Sequence, residues 1–468
     1  MDSQKTNRGG FASNFGFLMA AIGSAVGLGN LWGFPYKMGS SGGFAFLLLY
    51  AVLFIFIGYP LMLSEFALGR KSGKGAIGAY RALHPRMAFN GWFAVLTPFF
   101  LLMFYCCLGG YCLKYFVCNL GDIFGASWGI GTAESGAYFG GFFTDVPQAM
   151  VFSILFLAVT ILIVSRGIAS GIERFSVIAM PVLFIMLLII VVRSVTLPGA
   201  ADGIAFMFKP DFSVFKGSGW IRILASAGGQ LFFSLSLASG AHIAYGSYLS
   251  KKENLEGNAL IVPIADTMMG ILAGLATIPA VFAAGMDPSG GPGMLFVILQ
   301  KVFQEMGGAG AWFGTLFYFL VVLAAISSSI AMMEGAVSSF VDMRLDKGKP
   351  ANRPVTTAIV GGIALLGTIV CTADALGEGG VPHLFGFTTW LDTFDLFGEG
   401  ILMPLGGLCM TVALGWFFPS YIDDEVRLSS GYKSRGFVHF CMKVPAILFM
   451  VLVLLGQIDN FFALGWFS

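Results

Sequence analysis

Charge is scarce in this sequence. Asp, Glu, Lys and Arg make up 11% of its 468 residues, and the mean hydropathy is +0.84. Soluble domains carry about a quarter charged residues, so a water-soluble globular chain is excluded. A net charge of +1 says nothing about partners, and no nucleic-acid partner is expected. Histidine is scarcer still. His84, His242, His383 and His439 are scattered and form no His-Glu-x-x-His pattern, so the usual metallohydrolase signature is missing. The stretch GRKSGKG has three residues between Gly69 and Gly73 where a phosphate-binding loop needs four, and no strand precedes it. Of the seven cysteines, Cys106, Cys107, Cys112 and Cys118 share one apolar run without a histidine; they read as reduced helix-packing residues rather than a metal site. No channel filter motif occurs, and no soluble domain is visible.

Apolar runs fill the space that charge leaves. Eleven are long enough to span a bilayer, at about 14–37, 42–69, 89–118, 147–165, 172–197, 220–249, 258–284, 309–341, 354–372, 390–418 and 438–464. Runs such as VFSILFLAVTILIV are apolar on every side. They fit helices that satisfy their own backbone and not the alternating strands of a barrel. If the N-terminus is cytoplasmic, 19 of the 26 Lys and Arg fall on inner segments, so the positive-inside rule predicts N-terminus in, C-terminus out, in the cell membrane. The polar start MDSQKTNRGG is followed by an apolar stretch too long for a cleaved signal peptide. The longest connections, 119–146, 198–219, 285–308 and 373–389, then lie outside and read as caps or flexible loops.

Two of these runs are interrupted. The first contains Gly27-Leu28-Gly29-Asn30, and the sixth carries Ser234, Ser236, Ser239 and Gly240 in mid-span. Interruptions five spans apart point to an inverted-repeat transporter with its site at the membrane midplane. A broken helix offers free carbonyls to a cation and free N–H groups to a carboxylate, and glycine lets the ligand approach the backbone. The alternative is that these small residues form a close-packing seam between helices. Further polar groups lie in other spans. Ser327, Ser328 and Ser329 fan around the eighth, where they suit an ion or helix-to-helix hydrogen bonds. Asp266 lies inside the seventh, a functional position by default. Glu65 and Glu334 are expected to satisfy backbone freed by the breaks rather than to touch substrate.

The stretches GSAVGLGNLWGFPY, GGFAFLLLY, GYPLMLSEFALGR, GQLFFSLSLASGAHIAYGSY and AAISSSIAMMEG, in this order and spacing, resemble the neurotransmitter:sodium symporter family, in its bacterial eleven-span form. The resemblance runs from about Arg8 to the end. It implies an all-α integral membrane fold of eleven transmembrane helices, with an inverted five-plus-five repeat (1–197 and 198–418, then an eleventh span in 419–468) and helices 1 and 6 broken. It implies import of a neutral amino acid with two sodium ions by alternating access, the bundle of spans 1, 2, 6 and 7 rocking against spans 3, 4, 8 and 9. By the same resemblance one sodium would take Ala25, Asn30, Ser234 and Asp266, and a second Gly23, Val26, Ala324, Ser327 and Ser328. The substrate carboxylate would meet the Gly27-Leu28-Gly29 backbone and the Tyr105 hydroxyl. The rest of the substrate would lie among Ser24, Ala25, Leu101, Phe233, Ser234, Ser236, Ala238, Ser239, Ser328 and Met332, under Phe233 as a lid. Arg8 and Asp342, with Tyr248 beside them, match the inner gate, and Asp395 matches the acid of the outer gate.

Four positions depart from the family pattern. Gly33 stands where the outer-gate arginine is usual, and Lys37, one turn on, is expected to pair with Asp395 instead. Asp266 stands where many members have asparagine. Its fixed carboxylate is expected to replace the chloride that other members bind near Tyr50, Gln230 and Ser234, making transport chloride-independent. At the sixth-span break, Ala238 replaces a usual glycine and Ser239 a bulky apolar residue, which favours a small or mildly polar substrate. Carriage of another small zwitterion or amine, or binding without transport as a receptor, stays open.

Overall fold

The computed structural model describes residues 10–288 and 293–467, and these contain helix and connections but no strand. Nine helices among them are long and apolar enough to cross a membrane: Phe44–Ser72, Pro85–Ile123, Val146–Ser165, Ile168–Val195, Leu255–Ala283, Gly307–Asp346, Arg353–Gly377, Trp390–Phe417 and Pro445–Phe462. A tenth crossing is the pair Asn14–Ala25 and Gly29–Ser40, bent by 45°. The remaining expected span, the sixth, comes as two pieces, Trp220–Ser234 and Ala241–Ser247, each shorter than a bilayer. Both expected breaks are therefore present, and they face each other. The Ser236 hydroxyl in the second break donates to the Ser24 carbonyl at the first, at 3.0 Å.

Proline explains much of the local irregularity. A proline in a helix lacks an N–H and crowds the carbonyl four residues back. Four wide π-turns, Gly29–Gly33, Phe54–Gly58, Leu396–Leu402 and Ala413–Phe417, each end two residues before a proline: Pro35, Pro60, Pro404 and Pro419. The first coincides with the break in span 1, so Pro35 and the two glycines act together there. Proline also corrects one expected boundary. The run at 438–464 is not one helix: Arg435–Lys443 is separate, and the eleventh span begins at Pro445. Val444, forced out of helical geometry by the following proline, marks the corner at φ −130° and ψ −69°.

Spans 3 and 8 pack on each other at the centre and are 78% and 83% buried, whereas spans 4 and 11 are each 33% buried. The outward faces of spans 4, 5 and 9 carry exposed Leu162, Ile178, Val192 and Leu366, as lipid contact requires. The expected loops are largely ordered caps: Ser135–Thr144, Ala200–Phe208 and Leu299–Glu305 are helices.

Candidate functional site

The two breaks converge on Asp266. Its side chain is fully buried and accepts three hydrogen bonds, from Asn30 Nδ2 at 2.8 Å, Ser234 Oγ at 2.7 Å and the Tyr50 hydroxyl at 3.1 Å. Asn30 Nδ2 also reaches the Asp266 carbonyl, and Asn30 Oδ1 accepts from the Gly27 N–H at 3.1 Å. Asn30, Ser234 and Asp266, three residues expected to share one sodium, thus stand together, with Ala25 buried at the end of the first half-helix. A carboxylate without a countercharge is costly inside a membrane. Three donors lower that cost and leave acceptor capacity on the carboxylate for a cation.

The residues expected at the second ion site also lie together. Ser327 Oγ lies 3.3 Å from the Val26 carbonyl and 2.8 Å from that of Ala324. Ser328 Oγ lies 3.4 Å and 3.2 Å from the carbonyls of Gly23 and Ser24. All are hard oxygens, the donor class that sodium takes. Ser329 turns away, with its hydroxyl in hydrogen-bond contact with that of Thr160 on span 4 at 2.8 Å, so of the three consecutive serines two face span 1 and one serves helix packing.

The Leu28 N–H donates to the Tyr105 hydroxyl at 3.0 Å. Tyr105 therefore accepts from the break and keeps its own hydrogen for an anion beside Gly27 and Gly29. The space is tight: a Cβ on Gly27 would lie 2.2 Å from Ser328 Oγ and 2.6 Å from the Tyr105 hydroxyl, and one on Gly29 would lie 3.1 Å from the Phe233 ring. Leu101, Phe233, Ala238 and Met332 are all buried, and the rings of Tyr105 and Phe233 are 6.4 Å apart. The structure shows where the Ser239 hydrogen goes, while its oxygen keeps its acceptor lone pairs. Its hydroxyl donates to the Ser236 carbonyl at 2.6 Å, and Ser236 itself donates to Ser24. Both hydroxyls donate to backbone, while Ser24 Oγ is buried without a partner.

Beyond Phe233, on the side of the membrane away from the start of span 1, lies a cavity of about 310 Å³ whose lining includes Gly33, Lys37, Gln230, Phe233, Asp395 and Glu399. Here an expectation is corrected. Lys37 Nζ pairs with Glu399 Oε1 at 2.5 Å rather than with Asp395. Asp395 and Glu399 stand one turn apart, and the π-turn beginning at Leu396 carries Glu399. At Gly33 a Cβ would come within 2.9 Å of Gln230 Oε1. Gln230 Nε2 donates to the Gly29 carbonyl at 2.7 Å, and its Oε1 is buried without a partner. The glycine thus leaves room for Gln230 to brace the first break.

On the opposite side, further polar contacts join the spans. Asp342 accepts from the Gly75 N–H at 2.6 Å, and Tyr248 donates to Glu334 at 2.9 Å. Glu334 also pairs with Arg353, so it serves an ion pair and not the break backbone expected of it. Glu65 does serve the break, accepting from the Ala238 N–H at 3.0 Å. The gate position Arg8 lies outside the described residues. Glu173, which the sequence did not single out, accepts from the Ala12 N–H at 2.7 Å and from the Ser13 hydroxyl at 3.0 Å, at the helix start of span 1. Its only sequence signal is an acid inside an apolar run.

The sequence profile of the Sodium:neurotransmitter symporter family matches residues 8–128 and 144–467. A sodium-dependent transporter of Bacillus subtilis (strain 168), YhdH, is 37% identical over 90% of this chain and 89% of its own length. A sodium-dependent transporter of Haemophilus influenzae is 30% identical over 99% and 100%. The mouse sodium-dependent neutral amino acid transporter B(0)AT3 is 26% identical over 82% and 74%. Among solved structures, MhsT in complex with L-phenylalanine superposes with a TM-score of 0.86, at 35% identity over 96% of this chain and 100% of that one.

Proposed function

Because the chain belongs to the sodium:neurotransmitter symporter family, and so is a sodium-dependent multi-pass membrane transporter and not an enzyme, we propose that it imports a neutral amino acid by alternating access. The observation that carries this reading is the meeting of both broken helices at one point. There the Tyr105 hydroxyl faces the Gly27–Gly29 backbone, with Asp266 on one side and Ser327 and Ser328 on the other. An α-carboxylate fits the glycine backbone and Tyr105, and one sodium fits on each side of it, at the two oxygen clusters. The buried, uncharged walls at Leu101, Phe233 and Met332 favour an uncharged side chain. The hydroxyls of Ser236 and Ser239 spend their hydrogens on backbone, so toward a substrate side chain they offer acceptor lone pairs and no donor. That L-phenylalanine occupies MhsT supports the same class.

Asp266 supplies the fixed negative charge, so chloride is not required. The cavity beside Lys37 is the outer vestibule, and the Asp342, Glu334 and Arg353 contacts close the inner side. This orientation has the N-terminus in the cytoplasm and the C-terminus outside, in the cell membrane, with residues 1–197 and 198–418 as the two inverted repeats. The test is uptake of each of the twenty amino acids into proteoliposomes, with and without an inward sodium gradient and with gluconate replacing chloride. Gradient-driven accumulation of a neutral amino acid in gluconate is expected. Uptake that ignores the sodium gradient would refute the coupling.

A further inference from the structure

The break in span 6 is held by a residue that the sodium and substrate sites do not use. The helix ends at Ser234, with Leu235 as its cap, and restarts at Ala241. In a continuous helix the Leu235 carbonyl would accept from the N–H of residue 239. Here the chain turns left-handed at Ser236 (φ 51°), Ala238 (φ 57°) and Gly240 (φ 75°). Two of these are not glycine, so the conformation is disfavoured unless its surroundings hold it. Part of that support has been described: Glu65 takes the Ala238 N–H, and Ser239 takes the Ser236 carbonyl. The Leu235 carbonyl is met by His242, whose Nε2 lies 2.7 Å away. A carbonyl only accepts, so Nε2 carries the proton, and Nδ1, which has no partner, is the bare nitrogen. The imidazole is fully buried, edge-on to Phe66 with centroids 5.3 Å apart.

We propose that His242 is a positioning residue for the substrate. It is a strut from the second half-helix back to the last carbonyl of the first, and it fixes the span between them. That span carries Ser236, Ala238 and Ser239, the positions that face the substrate under the transport reading on which this proposal rests. Movement there also shifts Ser236 against Ser24 on the other break, 3.0 Å away. A ring nitrogen donor is needed, because the carbonyl has lost its helical partner; a side chain of the same size without a donor leaves that carbonyl buried and unpaired.

The test uses the full chain in proteoliposomes, with His242→Phe and His242→Met as variants that lack the donor and His242→Gln as one that keeps it. Uptake of whichever of the twenty amino acids the parent protein accumulates should show KM raised about tenfold in the Phe and Met variants. Maximal rate should stay within about twofold, and the Gln variant should return KM to within about threefold of the parent. Hydrogen–deuterium exchange over 235–241, measured in sodium without substrate, should quicken in Phe and Met and not in Gln. Unchanged KM and exchange in the Phe and Met variants would overturn the proposal. So would a Gln variant as impaired as they are, or failure of all three to accumulate in the membrane, which would mark the histidine as only structural. If the parent protein accumulates none of the twenty, the amino acid reading falls, and the exchange comparison still decides whether the strut exists.

Discussion

Lys37 Nζ and Glu399 Oε1 lie 2.5 Å apart in the lining of the cavity beyond Phe233, joining span 1 to span 10 where residue 33 is glycine. The lysine is 20% exposed and the glutamate 6%, so the pair lies between the exposed bridges that contribute little and the buried ones whose disruption is costly. A double-mutant cycle on Lys37→Ala and Glu399→Gln, read in substrate affinity, should give a coupling on the order of 1 kcal/mol. The same cycle on Lys37 and Asp395→Asn should give a smaller one. Additive effects at Lys37 and Glu399 would remove the pair from the transport cycle.

Asp266→Asn keeps the shape of the Asn30–Ser234–Tyr50 cluster and removes its charge. The expected result is a sodium affinity at least about tenfold weaker, since a charge-assisted contact in a buried site is replaced by a neutral one. Chloride should then stimulate uptake by the variant and not by the parent. The measurement is sodium-dependent uptake in chloride against gluconate, and a parent protein that itself needs chloride would defeat the idea.

Gly27→Ala should abolish substrate binding while the protein still folds. The added methyl meets Ser328 Oγ at 2.2 Å and the Tyr105 hydroxyl at 2.6 Å, an overpacking strain of roughly 1–3 kcal/mol. That strain falls on the surface where the carboxylate must sit. Gly73→Ala is the contrast: its Cβ meets open space, so its cost is only that of its φ of 63°, felt in stability and not in affinity. Thermal unfolding together with binding separates the two. Equal loss of affinity in both variants would argue against a special role for Gly27.

How much of this was legible in the sequence depends on the range of the interaction. The spans follow from runs of apolar residues, and both breaks follow from glycine and serine placed where lipid demands helix formers. Four of the six π-turns among the described residues follow from local chemistry as well, since each ends two residues before a proline. The side-chain partners were harder. Lys37 and Glu399 are 362 positions apart, and nothing in either neighbourhood distinguishes Glu399 from Asp395, one turn earlier. His242 read as a stray histidine because the carbonyl it caps is freed only once Ser236 and Ala238 turn left-handed. The hydrogen of Ser239 was hidden too, because a sequence does not say which way a hydroxyl donates.

Glu173 carries the last prediction. Its carboxylate holds the Ala12 N–H and the Ser13 hydroxyl, while Ser13 Oγ in turn accepts from the Gly16 N–H to cap span 1. A Cβ on Gly16 would overlap this carboxylate, at 1.8 Å from Oε1, so the glycine is what allows the acid to reach the helix start, where a negative charge is favourable. On the other flank Asn14 and Asn258 exchange hydrogen bonds of 3.3 and 2.7 Å. The first half-helix of span 1 is therefore tied through Glu173 to span 5, outside the rocking bundle, and through Asn258 to span 7, inside it. Glu173→Ala should loosen one tie and favour the inward-facing state. A cysteine introduced at Gly10 should then be labelled several-fold faster in sodium by a thiol reagent added from the N-terminal side, because a charged acceptor at a helix start is worth roughly 1 kcal/mol. Glu173→Gln, which keeps an acceptor oxygen but not the charge, should fall between the two. Labelling no faster in the Ala variant than in the parent would show that the first half-helix is held elsewhere.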